Sequence, residues 1–224
     1  MPLFQSASYA FSVADPGAPL PESSGEIAFA GRSNAGKSSA INTLVGQKRL
    51  AFVSKTPGRT QMINFFSLAT GGFLVDLPGY GFAAAPGTIR ARWDALLGDY
   101  LRGREALRGL VIVMDIRHPM TELDHQLIEF FRDTGKPIHV LLTKADKLSR
   151  SPAQMTLNQV RDTLTKMSPL YSVQLFSSLK RTGIEEAEAV FAAWLGIEIK
   201  NEKPRVSDST KPGARNKKPR AKGG

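Results

Sequence analysis

Cysteine is absent from this 224-residue sequence. Its absence excludes disulfides, thiolate nucleophiles and zinc or iron–sulfur centres held by cysteine. Long apolar runs are also missing, because core runs such as residues 110–114 are the size of a strand and far short of the ~20 residues of a membrane span. The first residues contain no basic segment followed by an apolar one. We therefore expect no signal peptide, no membrane span and a cytoplasmic protein.

Acidic residues are too few to balance the basic ones, since 20 Asp and Glu stand against 30 Lys and Arg and leave a net charge of +10. Most of this excess lies in residues 200–224, which hold nine Lys and Arg against Glu202 and Asp208. The segment has almost no apolar residues, so we expect residues 199–224 to form a basic disordered tail. Such a tail is typical of proteins with a nucleic-acid partner, although a tail that serves only solubility is the alternative.

Hydrophobic patterning predicts strands alternating with helices. We predict strands at residues 26–30, 62–68, 73–75, 110–115, 137–142 and 173–176, and helices at 37–45, 88–104, 122–132, 153–167 and 184–195. Residues 1–24 are predicted as an extended segment and loop, and the polar, basic residues 46–61 as a mobile loop. This alternation predicts an α/β fold of three layers, in which residues 25–198 form a mainly parallel six-stranded sheet covered by helices on both faces.

One stretch between a predicted strand and a predicted helix fits the phosphate-loop pattern GxxxxGK[ST]. It consists of Gly31, Arg32, Ser33, Asn34, Ala35, Gly36, Lys37 and Ser38. The glycines let the backbone wrap closely round phosphate oxygens, and the N–H groups of the loop and of the helix N-terminus favour negative charge. Lys37 would add a positive charge at the β- and γ-phosphates, and the Ser38 hydroxyl can ligate Mg²⁺. The alternative is a Gly-rich turn in front of a helix.

A second motif, DxxG, follows the strand predicted at residues 73–75 and consists of Asp76, Leu77, Pro78 and Gly79. A carboxylate at this position can hold Mg²⁺ directly or through water, and Gly79 leaves a backbone N–H free to approach a γ-phosphate. The same four residues would also make a good turn. The position after a strand favours the functional interpretation, because ligands of parallel sheets bind at the carboxyl ends of strands.

A third motif, [NT]KxD, follows the strand predicted at residues 137–142 and consists of Thr143, Lys144, Ala145 and Asp146. Guanine presents two adjacent donors, N1–H and the exocyclic amine, to one carboxylate, whereas adenine has an acceptor at N1. Asp146 should therefore select guanine, since a lost pair of hydrogen bonds discriminates strongly. The Lys144 stem would lie along the base, and Thr143 would tie this loop to the phosphate loop. The alternative for Asp146 is a helix N-cap.

Two weaker signals complete the candidate site. Ser177, Ser178 and Leu179 follow the last predicted strand and could close over the base through backbone N–H groups. A second hydroxyl ligand for Mg²⁺ would come from the loop at residues 46–61, where spacing alone leaves Thr56 and Thr60 as alternatives.

Six stretches, GRSNAGKSS, KTPGRTQ, DLPGYGFA, MDIRHP, LLTKADKL and FSSLK, together resemble the EngB-type (YihA/YsxC) bacterial GTP-binding proteins, a branch of the TrmE–Era–EngA–Septin-like P-loop GTPases. The resemblance covers roughly residues 8–196 and implies a GTPase fold with Mg²⁺ held by Ser38 and Thr60. It also implies a role in assembly of the large ribosomal subunit, with the subunit or its rRNA as partner, and a need for the protein in normal growth, division and septation. We expect a monomer. Besides the three motifs and residues 177–179, it implies nucleotide contacts by Gly58, Arg59, Thr60, Gln61 and Met62.

The position after DxxG bears on catalysis. Many small GTPases have a glutamine there that orients the attacking water, but this sequence has Tyr80, which cannot act in that way. We expect Lys37, Asn34 and Gly79 to carry catalysis, and hydrolysis to be slow without an activating partner or K⁺. Asn34 is similar to an asparagine with which some relatives hold K⁺ near the β/γ bridge, although it could merely cap the loop.

A protein of a different class remains the main alternative. In it, the chain would be an RNA-binding assembly protein whose guanine nucleotide is mainly structural and whose hydrolysis is incidental. A nucleotide kinase is disfavoured, because residues 143–146 fit a base reader and no Arg-rich lid is evident in the sequence.

Overall fold

The structure, a computed structural model, describes residues 4–14, 18–51, 62–80 and 97–198, in which seven strands and five α-helices follow one another. The strands are β1 (Ser8–Val13), β2 (Glu26–Gly31), β3 (Ile63–Ser67), β4 (Phe73–Asp76), β5 (Leu107–Asp115), β6 (Ile138–Thr143) and β7 (Tyr171–Leu175). The helices are α1 (Lys37–Leu44), α2 (Gly98–Gly103), α3 (Glu122–Arg132), α4 (Arg150–Met167) and α5 (Ile184–Leu195). The predicted alternation of strands and helices is therefore confirmed.

All seven strands join one mixed sheet in the order β1-β3-β4-β2-β5-β6-β7. Strands β4, β2, β5, β6 and β7 are parallel, whereas β3 runs antiparallel to both of its neighbours, so the prediction of a mainly parallel sheet is confirmed. The predicted number of six strands is wrong. Residues 8–13, expected only as an extended segment, pair with β3 as a seventh strand, where Phe11 stacks on Phe65 with ring centroids 4.6 Å apart.

Helices cover both faces of the sheet, as predicted. One apolar cluster packs α2, α3 and α4 against one face, and a second packs α1 and α5 against the other. Successive residues of β5 alternate between the two clusters, with Ile112 in the first and Val113 in the second. A strand that is buried on both faces reads as a continuous apolar run, which is why residues 110–114 stand out in the sequence.

The ends of two helices follow from local chemistry. Helix α3 begins as predicted, after a capping box in which Thr121 and Asp124 exchange side-chain and backbone bonds. Helix α4 begins at Arg150, three residues before its predicted start. The reason is that Pro152 fits in a first turn, where the backbone N–H groups have no helical partner. None of the described helices is both long and apolar enough to cross a bilayer.

Several predicted segments fall outside the described residues. These are most of the loop at residues 46–61, the first part of the helix predicted at 88–104 and the tail at 199–224. The division of the chain into an N-terminal segment, a nucleotide-binding domain and a basic tail stays a prediction.

The amino ends of the parallel strands carry a buried ionic network. Glu26, the first residue of β2, is completely buried, and the Arg104 side chain binds both of its carboxylate oxygens at 2.6–3.2 Å. Tyr100 donates its hydroxyl to the same carboxylate over 2.9 Å. Donors around a buried carboxylate offset the cost of its desolvation. The network holds α2 to the edge of the sheet opposite to the predicted motifs.

Candidate functional site

The predicted motifs meet at the carboxyl edge of the parallel strands. Gly31, Asp76, Asp115 and Thr143 are the last residues of β2, β4, β5 and β6, which lie side by side in the order β4-β2-β5-β6. Parallel strands bring their carboxyl ends to one edge, so sequence stretches more than 100 residues apart become neighbours there. This is the place where ligands of parallel sheets bind.

The phosphate loop at residues 31–38 depends on its two glycines. A Cβ atom on Gly31 would lie 2.9 Å from the Val113 carbonyl oxygen, so a larger residue would push β2 away from β5. Gly36 has a φ of 100°, and Asn34 has a φ of 66°, both in the left-handed region that side chains other than glycine and asparagine disfavour. This backbone leads directly into α1, whose first residue is Lys37.

Lys37 and Asp76 join the phosphate loop to the end of β4. The Lys37 ammonium group forms an ion pair with the Asp76 carboxylate, and Asp76 is only 5% exposed. The next residue, Leu77, donates its backbone N–H to Phe29 of β2 over 3.0 Å. The carboxylate is therefore fixed beside the lysine, with the Ser38 hydroxyl in the same first turn of α1.

The end of the DxxG motif runs alongside the phosphate loop. The Tyr80 N–H donates to the Gly31 carbonyl over 3.2 Å, and the Ser33 N–H donates to the Tyr80 carbonyl over 2.9 Å. Pro78 and Gly79 are half-buried, and a Cβ atom on Gly79 would lie 3.5 Å from the Ser33 hydroxyl oxygen. The Gly79 backbone thus lies next to the loop that would hold phosphates.

The motif at residues 143–146 is attached to the phosphate loop by two side chains. Thr143 donates its hydroxyl to the Ala35 carbonyl over 2.5 Å, so it links the two loops, as the sequence predicts without naming the partner. Lys144, with a φ of 57°, donates to the Asn34 carbonyl over 2.8 Å. The two loops therefore form one connected surface.

Asp146 is oriented by the segment after β7. The Ser177 hydroxyl donates to Asp146 Oδ1 over 2.5 Å, and the Ala145 N–H donates to the Phe176 carbonyl over 3.2 Å. Ser177 is buried, Ser178 is half-buried and Leu179 is 73% exposed. Sequence reasoning predicts only a backbone role for Ser177 and misses its side-chain bond to Asp146. No local signal could reveal a contact between residues that are 31 positions apart.

Asp115 is a further residue of the site to which the sequence assigned no role. It lies at the end of β5 and accepts hydrogen bonds from Arg117 at 2.6 and 3.0 Å and from Lys144 at 2.9 Å. Arg117, with help from Lys144, holds the pKa of the Asp115 carboxyl well below its usual range. Asp115 thereby keeps the Lys144 ammonium beside the phosphate loop. Its position at a strand end, beside a motif that follows the neighbouring strand, is the signal that could have identified it.

Four of the predicted nucleotide contacts, Gly58, Arg59, Thr60 and Gln61, lie outside the described residues. Met62 precedes β3 and is 43% exposed. The described part of the chain contains no cluster of three or more His, Asp or Glu side chains that could hold a metal ion.

Comparison with known proteins gives a consistent result. A family profile described as 50S ribosome-binding GTPase matches residues 26–144. The probable GTP-binding protein EngB of Azoarcus sp. is 63% identical over 196 residues, which make up 87% of this chain and 94% of the relative. The protein of the same description from Dechloromonas aromatica is 56% identical over 218 residues, covering 96% of this chain and 99% of the relative.

Solved structures agree with the fold. The crystal structure of a probable GTP-binding protein engB aligns with a TM-score of 0.60 at 23% identity, covering 76% of this chain and 98% of the other. The profile match extends over more than half of the chain, and the two relatives share more than half of their aligned residues with it. The chain therefore belongs to the EngB branch of the 50S ribosome-binding GTPase family.

Proposed function

We propose that this chain is a guanine-nucleotide switch that binds GTP and GDP with Mg²⁺, hydrolyses GTP slowly, and acts in the cytoplasm in assembly of the large ribosomal subunit. The observation that carries the proposal is the connection between two loops at one edge of the sheet. The phosphate loop and the loop at residues 143–146 are tied together through Thr143 and Lys144. The relatives described above are named as probable GTP-binding proteins.

Selection of guanine is assigned to Asp146. A carboxylate has about four acceptor positions, and the bond from Ser177 uses one of them. The remaining positions can accept N1–H and the exocyclic amine of guanine together. Adenine would place an acceptor against the carboxylate and offer no amine there, so it would leave buried polar groups unpaired.

Phosphates are assigned to residues 31–38, with Lys37 as the cation at the β- and γ-phosphates. The donor set suits Mg²⁺, an ion that prefers oxygen ligands and keeps several waters. Ser38 and Thr60 would supply hydroxyl ligands, and the buried Asp76 carboxylate would act through water. Bound Mg²⁺ would neutralise charge that develops on the phosphates. Gly79 would present its backbone N–H to the γ-phosphate from its place beside Ser33.

Slow hydrolysis follows from the residue after DxxG. Tyr80 has no amide to orient a water molecule, so the intrinsic rate should be low. Asn34, in a left-handed conformation at the middle of the phosphate loop, is assigned to K⁺ beside the β/γ bridge. Turnover should then be faster in K⁺ than in Na⁺, and Asn34→Asp should change that ratio. Equal turnover in both salts, with no effect of the substitution, would rule out this role.

The ribosomal role draws on the family description, 50S ribosome binding, and on charge. GTP and Mg²⁺ would order the loops after α1 and after Gly79, and hydrolysis would release them together with the bound ribosomal precursor. Impaired division and septation would follow from a shortage of ribosomes. The nine basic residues in 200–224 would add contacts to rRNA. Deletion of this tail should lower RNA affinity and flatten its dependence on salt.

A second function, an RNA-binding assembly protein with a structural nucleotide, is favoured by one observation. The Tyr80 hydroxyl is buried and already donates its hydrogen to the buried Asp124. Single-turnover GTP hydrolysis with and without 50S subunits separates the two functions. A switch predicts that subunits accelerate hydrolysis and that Lys37→Ala abolishes both hydrolysis and nucleotide-dependent subunit binding. A structural nucleotide predicts that subunits bind equally with GDP and GTP.

A further inference from the structure

The side chain of Tyr80 connects the DxxG segment to the start of α3. Tyr80 is 4% exposed and Asp124 is 1% exposed, and the tyrosine hydroxyl donates to Asp124 Oδ1 over 2.7 Å. On the other side, the Tyr80 backbone is paired with Gly31 and Ser33 of the phosphate loop. Tyr80 therefore contacts the phosphate loop through its backbone and α3 through its hydroxyl, although α3 begins more than 40 positions later.

Asp124 is held by three donors. Its Oδ2 accepts from both the backbone N–H and the hydroxyl of Thr121, each at 2.8 Å, and its Oδ1 accepts from Tyr80. The cap of α3 is complete without Tyr80, because the Thr121 N–H donates to the Asp124 carboxylate and the Thr121 side chain accepts from the Asp124 backbone N–H. Burial and the Asp124 charge raise the pKa of Tyr80 well above its ordinary value, so the phenol remains a donor at neutral pH.

We propose that Tyr80 is a positioning residue that couples the γ-phosphate to the start of α3, by fixing the Gly79 backbone against the phosphate loop through its bond to Asp124. This inference rests on the proposed function, because it names how the same site is regulated. A nucleotide with a γ-phosphate draws the Gly79 N–H towards it. Tyr80 moves with Gly79, and its bond to Asp124 transmits this movement to the start of α3.

The movement of Asp124 affects the segment between β5 and α3. Asp124 lines a cavity of about 190 Å³ together with Asn34, Arg117 and His118. Arg117 and His118 are exposed, so a change at Asp124 reaches the protein surface beside the phosphate loop.

The opposite edge of the sheet provides a matched control. Tyr100 is 2% exposed and donates to the completely buried Glu26 over 2.9 Å. Tyr80→Phe and Tyr100→Phe therefore remove the same oxygen atom from the same kind of buried tyrosine–carboxylate bond. A purely structural role for Tyr80 predicts that the two variants behave alike.

The test measures Kd for GDP and for GTPγS, with Mg²⁺, on the full-length wild type and on both variants. We expect Tyr80→Phe to reduce the GTPγS affinity roughly five- to tenfold relative to the GDP affinity, which is a fraction of the contribution of one hydrogen bond to a charged group. Tyr100→Phe should leave this ratio unchanged. Amide hydrogen exchange of residues 116–125 should differ between GDP and GTPγS in the wild type and in Tyr100→Phe, and the difference should vanish in Tyr80→Phe.

Asp124→Asn perturbs the same bond from the other side. It should shift the GTPγS/GDP ratio in the same direction, and the double variant should shift it no further, because the two residues act through one bond. If the ratio of GTPγS to GDP affinity is the same in Tyr80→Phe, Asp124→Asn and the wild type, the inference is wrong. The proposed function would still stand, because nucleotide binding is retained. A wild type that binds neither GDP nor GTPγS would overturn the proposed function, and the inference with it.

Discussion

Thr143, the last residue of β6, donates its hydroxyl to the Ala35 carbonyl in the phosphate loop over 2.5 Å, across 108 residues of chain. The following residue, Lys144, donates to the Asn34 carbonyl over 2.8 Å. These bonds fix the spacing between the two loops within the protein itself. A ligand with a base and phosphates at that spacing would bind with little loss of conformational freedom, because the site is preorganised.

Replacement of Thr143 by valine tests this preorganisation. The change keeps the shape of the side chain and removes the donor to Ala35, so GDP affinity should fall about five- to tenfold. Thr163→Val is a suitable control, because the Thr163 hydroxyl bonds to the Gln159 carbonyl on the exposed face of α4. Isothermal titration calorimetry gives both affinities. An unchanged GDP affinity in Thr143→Val would mean that the link between the loops does not affect the site.

Asp146→Asn should change the preferred base of the site from guanine to xanthine. The amide has one acceptor and one donor group in place of two acceptors, which suits xanthine, whose 2-position carries an oxygen in place of the amine of guanine. We expect GDP affinity to fall about 100-fold and xanthosine diphosphate to become the better ligand. Competition against a fluorescent nucleotide measures both. Ser177→Ala should weaken GDP binding less, because it frees Asp146 without removing the carboxylate; an equal loss in both variants would contradict the assignment.

Lys37→Ala should weaken GDP but not guanosine. The lysine is assigned to phosphate, so its loss should reduce GDP affinity about 10- to 100-fold, whereas the affinity for guanosine should change less than about twofold. Lys136→Ala removes another lysine, one that donates to the Arg104 carbonyl at the opposite edge of the sheet, and should affect neither ligand. Equal losses for GDP and guanosine would mean that Lys37 supports the fold of the site and does not contact phosphate.

The sequence predicted the parts of the structure that depend on local pattern. The phosphate loop, helix α3 from Glu122 to Arg132 and the strand-end position of each motif follow from glycines and from the spacing of apolar residues. Pairing between distant segments was not accessible, because it depends on tertiary contacts. The edge strand at residues 8–13 is the example, since its loose alternation shows that it is extended but does not show which strand it pairs with.

The same limit applies to the candidate site. The sequence indicated Asp146 and Ser177 separately, yet only the structure shows that the Ser177 hydroxyl orients the Asp146 carboxylate. Tyr80 was recognised only for lacking an amide, and its partner Asp124 lies in a helix cap that has an ordinary local explanation. Asp115 has no motif of its own. Residues that position functional groups are selected by neighbours in space, which no single stretch of sequence contains.

Arg104→Met should destabilise the fold without changing the site. Glu26 is fully buried, and loss of Arg104 leaves a buried carboxylate with no positive partner, which costs about 3–5 kcal/mol of unfolding free energy. Urea unfolding measures this loss, and the double variant Arg104→Met/Glu26→Gln should recover part of it. GDP affinity of the folded variants should stay within about twofold of the wild type. A tenfold change would show that the two edges of the sheet are coupled.

Stability should depend on pH through His139. This buried side chain bonds to Ser172 and Gln174, and burial lowers its pKa from 6.5 to about 4. Between these values the unfolded chain binds a proton that the folded chain does not. The free energy of unfolding should therefore fall as pH drops through this window, by about 1.4 kcal/mol per pH unit and about 3 kcal/mol in total. Above the window, this contribution is fully present.

Urea unfolding at several pH values measures that dependence. His139→Gln should reduce the slope of the unfolding free energy against pH, between pH 6.5 and 4, by the equivalent of about one proton. Equal slopes for the wild type and His139→Gln would show that other groups cause the acid sensitivity.

Competition between purine nucleotides is the most direct measurement. The full-length chain is loaded with fluorescent GDP in Mg²⁺ and titrated with unlabelled GTP, GDP and ATP. Asp146 and the phosphate loop, held together by Thr143, predict that GTP and GDP displace the label while ATP fails to do so at concentrations about 1000-fold higher. Displacement by ATP at the same concentrations as GDP would contradict the base-reading role of Asp146 and, with it, the proposed function.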